Sequence, residues 1–163
     1  MKTALAILAG AVVLVLLLLL AAPAPERTTP ATDGLPWQID IQPDGASRVF
    51  GLTLGRSTLA DARARFPLEP QVAVVAAPGE AGSLEAYFES VMAGFVTGKM
   101  VLTLDAPAET VEAMRGRAAR TEYMESATRK ATLSAADREI ADRAAIRSIA
   151  FIPSTSLDEA TIL

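Results

Sequence analysis

The chain runs to 163 residues, 51% of them apolar, with fifteen basic and nineteen acidic side chains and neither cysteine nor histidine. Without cysteine there can be no disulfide, thiol nucleophile, iron–sulfur ligation or acylated lipoprotein cysteine, and without histidine no Ser-His-Asp triad, His-bearing zinc site or imidazole acid or base. The acidic balance argues against nucleic acid as a partner, because duplex binding needs a basic face that neutralises several phosphates.

Residues 4–22 form nineteen consecutive positions without a charge or side-chain amide. A hydrocarbon core about 30 Å thick needs ~20 apolar residues, whereas the apolar region of a signal peptide is usually ~7–15 long, so the length favours a retained transmembrane anchor. The small-x-small site Ala22-Pro23-Ala24 is followed by Pro25, a poor residue just after a cleavage point. Lys2 precedes the span and Glu26 nearly cancels Arg27 after it. The positive-inside rule then keeps residues 1–3 in the cytoplasm and puts the remainder outside. In a Gram-negative bacterium that means a single-pass protein of the inner membrane with its C-terminal domain in the periplasm.

Pro23, Pro25, Pro30 and Pro36 lie among Ala, Thr and Gly without hydrophobic periodicity, so residues 23–36 read as a tether reaching up to ~40 Å in polyproline II. One α+β domain, 37–163, follows. Trp37, Ile39 and Ile41 alternate with polar residues, as in a strand with one buried face, and Pro43-Asp44-Gly45 turns the chain into a second strand over 48–54. Trp37 itself suits either a core anchor or an interfacial belt near the membrane. Thr58 and Asp61 have capping-box spacing for a short helix that Pro67 stops, and Gln71 to Ala77 is a Val-rich apolar run that reads as a central strand.

Ser83 to Val91 fits strand or helix; strand is preferred. Gly94 and Gly98 frame a turn region before a strand with Met100, Leu102 and Leu104 on one face. A helix is predicted from Pro107 to about residue 122, and a short strand from Arg129 to Leu133. Ser134 with Asp137 opens a helix to about Ala145 on which Arg138 with Asp142 and Glu139 with Arg143 are i,i+4 pairs. Ile149 and Phe151 mark a last strand, and Ser156 with Glu159 opens a final helical turn. Hairpins interleaved with about three helices indicate α+β with a mainly antiparallel sheet.

The stretch Val49-Phe50-Gly51-Leu52-Thr53-Leu54-Gly55-Arg56-Ser57-Thr58-Leu59-Ala60-Asp61-Ala62, with Ser83-Leu84-Glu85-Ala86-Tyr87-Phe88, resembles a family of uncharacterised, singly anchored proteobacterial proteins. The resemblance covers roughly residues 36–163 and implies the compartment rather than an activity. Members of that family continue past the position of Leu163 with an Arg-Phe-Gly-x-Pro stretch, which implies a longer final helix. More distantly, the Gly-rich strand end leading to Ser57, a short helix and Phe66-Pro67 is similar to the opening of BamE-type (SmpA/OmlA) outer-membrane assembly lipoproteins. Those are held by a lipidated cysteine that this chain lacks, so their membrane and partner are not carried over.

Three constellations could carry function. Glu85 and Glu89 share a face, joined by Tyr87 if the segment is a strand. They read as a solvated edge, a carboxylate acid–base pair, or part of a Ca²⁺ site that would need more oxygens than the stretch offers. Arg115, Arg117 and Arg120, with Arg129 and Lys130 nearby, are the densest basic stretch. They read as a mixed solvated helix face or as a contact for anionic lipid or an acidic partner. Lys99 or Lys130 could serve a serine nucleophile, but no Ser-x-x-Lys occurs.

No cofactor or metal is expected. The expected function is non-enzymatic: a protein held in the lipid bilayer by residues 4–22, making protein contacts as an accessory or assembly subunit of an envelope or membrane complex. The candidate contact residues are Arg115, Arg117, Arg120, Glu85, Tyr87 and Glu89. Alternatives are a periplasmic domain binding or sensing a small molecule or lipid, and a carboxylate-based envelope hydrolase.

Overall fold

Local turn chemistry sets the first part of the fold. The structure, a computed structural model, describes residues 34–124 and 127–155; the apolar run 4–22, the tether to residue 33 and the turn at 156–163 lie outside the described residues. Among the described residues no helix is long and apolar enough to cross a membrane. Gly34 and Leu35, placed in the tether by their composition, belong to a fixed turn. Both backbone N–H groups donate to the Gln38 side-chain oxygen, and Leu35 is buried.

The Pro43-Asp44-Gly45 turn joins β1 (Ile39–Ile41) to β2 (Ser47–Val49) as expected, with the Gln42 N–H donating to the Ala46 carbonyl. The single strand predicted over 48–54 is instead broken. Phe50 and Gly51 both take positive φ, 55° and 80°, a tight turn that folds β3 (Leu52–Thr53) back on β2. A non-glycine residue in that region costs roughly 1–2 kcal/mol, and burial of the Phe50 ring in the core offsets it.

The Thr58–Asp61 capping box forms and opens α1 (Leu59–Arg65). Seven residues are too few for a helix to stand alone. Its cap contributes about 1 kcal/mol, and burial of Leu59 about 2 kcal/mol more.

The second sheet has six strands in the order β7-β8-β4-β5-β6-β9. These are β4 (Gln71–Ala76), β5 (Ser83–Ala93), β6 (Val96–Leu104), β7 (Arg120–Tyr123), β8 (Arg129–Thr132) and β9 (Ile146–Pro153). Every pairing in both sheets is antiparallel, so the α+β class with mainly antiparallel sheets holds. Helix α2 (Ala108–Gly116) carries the chain from β6 across to the far edge, and α3 (Ala135–Asp142) carries it back to β9.

Among the described residues only one face of this sheet is covered. Phe88, Met100, Leu102, Val74 and Ala131 point to the side where Leu59, Met114, Leu133 and Ala141 complete the core. Phe66 caps it with its ring edge-on to Phe88, the centroids 5.7 Å apart.

Three further expectations are corrected. Ile39 and Ile41, read as a buried strand face, are 56% and 68% exposed, because β1 is the edge of the three-stranded sheet and nothing described covers it. Gly98 lies inside β6 rather than in a turn. A side chain there would meet the Ile152 carbonyl at 2.5 Å and the Phe151 ring at 2.6 Å, so the glycine makes room for β9. The helix predicted to residue 122 stops at Gly116, because pairing of β7 with β8 satisfies the backbone of 120–123 better than a weakly amphipathic helix would.

Candidate functional site

Strand alternation assembles the uncovered face of the six-stranded sheet. On β5, Ser83, Glu85 and Tyr87 point away from the core, and Glu89 follows them inside a register shift between Phe88 and Val91. Cross-strand pairing places Gln71 and Val101 beside Tyr87, and Ala73 and Thr103 beside Glu85. Lys130 lies opposite Val75 and Glu122. The face runs to Ser148, Ala150 and Ile152 on β9.

Its charged groups have local partners, some charged and some neutral. Ser83 donates to Glu85 Oε1 at 2.6 Å and Lys130 to Gln71 Oε1 at 2.7 Å. Arg120 Nε lies 2.8 Å from Glu122 Oε1, and Lys99 Nζ lies 3.4 Å from Glu89 Oε1 and 6.0 Å from the Tyr87 ring centroid. The Tyr87 hydroxyl holds the Glu89 carboxyl below its ordinary pKa, with Lys99 adding to the effect. Tyr87 and Glu89 in turn hold Lys99 above its own. Lys99, Arg120 and Lys130 thus stand with Glu85, Glu89 and Glu122 on a surface whose central side chains are half-buried.

The candidate residues separate. Glu85, Tyr87, Glu89 and Arg120 share this face, but Arg115 and Arg117 do not. Arg115, on α2, donates to the backbone carbonyls of Ala81 at 3.1 Å and Glu80 at 3.4 Å, bracing the β4–β5 turn. Arg117 grips Asp137, its Nη2 donating to Oδ1 at 2.7 Å and its Nε to both oxygens at 3.1 Å. The Asp137 side chain is 1% exposed and also accepts from the Ser134 hydroxyl at 2.7 Å. The Arg117 guanidinium, then burial in the opposite sense, then the Ser134 hydroxyl act on its carboxyl; the net effect is a pKa below the ordinary value. A single basic patch is therefore not formed. Arg115 braces a turn and Arg117 a helix start, while Arg120 pairs with Glu122 along its own strand, β7.

Glu85 and Glu89 stand four residues apart on one strand, about 13 Å at the usual rise, on an open surface. Glycosidase carboxylates face each other across a cleft at roughly 5–9.5 Å, and this pair has neither the cleft nor the separation. Among the described residues no three acidic side chains gather to hold a metal ion.

Among the clefts that sequence reasoning missed is one of about 280 Å³ between α1, the start of β4, β8 and α3. Arg63 sits in it, its Nη1 donating to both Asp142 oxygens at 3.0 and 2.9 Å and its Nη2 to Glu69 at 2.8 Å, with Lys130 and Arg138 on the rim. Asp142 therefore turns to Arg63 rather than to the i,i+4 partner Arg138. Nothing local signals this, because Arg63 and Asp142 are 79 positions apart.

No protein-family model, curated protein or solved structure matches the chain.

Proposed function

We propose that the protein is a non-enzymatic, membrane-anchored component of a bacterial envelope whose periplasmic domain docks a partner protein on the uncovered face of its six-stranded sheet. The anchor is residues 4–22, and the role is that of an accessory or assembly subunit. The observation that carries this reading is the charge-balanced, half-buried face around Tyr87 and Glu85, which no described helix covers. Such a surface fits protein interfaces, where an aromatic anchor sits among paired polar groups and bulk hydrophobicity is no higher than elsewhere. A face with no net charge is a poor match for nucleic acid or an anionic surface. The likeness of residues 49–62 to singly anchored proteobacterial proteins agrees with it.

Small-ligand binding in the Arg63 cleft is the weaker reading. That cleft is smaller than the ~300–1,000 Å³ usual for ligand sites, and two carboxylates already occupy its central cation.

The test is site-specific photocrosslinking in native membranes, with the photoreactive residue at Tyr87 or, as control, at Glu139 on the exposed side of α3. One discrete adduct from position 87 and none from 139 is expected. Equal yields at both positions, or no adduct at 87, would sink the proposal.

A further inference from the structure

An apolar end of the domain is gathered where the chain enters it. Trp37, two residues after the buried Leu35, stacks edge-on against Phe95 at the tip of the β5–β6 hairpin, the centroids 6.2 Å apart. Phe95 is 64% exposed and Met92, on the same tip, 75%. Trp37 and Ile39 line one cleft, Met92 and Leu68 line another, and Arg65 belongs to both, so the apolar groups form one continuous end. Exposed aromatic and apolar residues gathered in one place mark a contact surface rather than ordinary scatter.

Two observations select its occupant. The first is distance along the chain. Only eleven residues, 23–33, separate the apolar run 4–22 from Gly34, so this entry point lies no more than about 34 Å from the end of the run even if they extend as polyproline II. The second is charge. Arg48 and Arg65 line these clefts against the single acid Asp40, a local positive excess in a chain of net charge −4.

We infer that Trp37, Met92 and Phe95 rest in the headgroup region of the bilayer that holds the anchor, with Arg48 and Arg65 facing lipid phosphates. This rests on the anchored reading above and adds an orientation to it. Tryptophan suits that depth because its ring is apolar and its N–H finds a partner there.

Trp37 is the only tryptophan, so its emission reports this end alone. The experiment reconstitutes the full-length chain into vesicles of phosphatidylcholine and phosphatidylglycerol, with and without phosphatidylcholine brominated on the upper acyl chain. Expected are quenching of Trp37 by the brominated lipid and protection from soluble iodide. In a Met92→Asp, Phe95→Asp variant both effects should be lost while the vesicles still carry the protein. Native protein that resists carbonate extraction but shows no brominated-lipid quenching overturns the inference and leaves the anchor standing. Release by carbonate overturns the anchor itself. Iodide protection that grows with protein density, without lipid quenching, assigns the surface to a second copy and also overturns the inference.

Discussion

Asp137 shows how a helix start and a distant cation share one carboxylate. Its backbone N–H donates to the Ser134 hydroxyl at 3.2 Å, the cap that the Ser134–Asp137 spacing predicts. The same spacing says nothing of Arg117, twenty positions earlier, which the sequence presents only as part of a basic stretch. Because the guanidinium and then the hydroxyl hold the carboxyl below its ordinary pKa, the folded state binds the Asp137 proton less readily than the unfolded chain. The resulting stability is complete above the unfolded value of about 3.9 and is lost as pH falls through the lower folded value. Arg117→Met should therefore lower the thermal midpoint by several degrees at pH 7, because a buried carboxylate loses its counter-ion. The deficit relative to the native protein should shrink at pH 3, where protonated Asp137 needs no cation. Thermal melts at the two pH values check both statements.

Among the elements, those legible in the sequence were the ones whose signals are local. The capping boxes, the Pro-Asp-Gly turn and the alternation of Met100, Leu102 and Leu104 all operate within a few residues, and the strands and short helices they predict are present. The misread elements depend on what lies beside them. Ile39 and Ile41 alternate like a buried face, but burial needs a covering layer, and an edge strand has none. Gly98 looked like punctuation because period and propensity cannot reveal a neighbouring strand; its meaning comes from Phe151, whose ring lies over it and against Phe50 at 5.5 Å. Gly98→Ala should push β9 away from β6 and cost about 1–3 kcal/mol as overpacking does. Denaturant titration against the native protein measures it, and a cost near zero would mean that β9 yields freely.

For the molecule as a whole, the sequence indicated one α+β domain but not its asymmetry. Strand periodicity tells which residues share a face, not which face will be covered. The uncovered side could be recognised only once the three described helices and the small sheet were seen on the other. The residues singled out on β5 fall on that open side because Glu85, Tyr87 and Glu89 share strand parity, whereas the arginines were grouped by proximity in sequence and α2 ends in their midst. A last consequence lies in the position of β9. It pairs along β6, and its first residue, Ile146, exchanges backbone hydrogen bonds with Gly55 and Ser57, tying the chain that follows the small sheet to the large one. The ribosome makes this strand after every other described element. A chain ending at Ala145 therefore leaves Met100, Phe50 and Gly98 without the Phe151 ring and β9 backbone beside them, and proteolysis should digest it rapidly where a chain ending at Thr155 resists. Closure of the core thus waits on β9, the strand that pairs along β6.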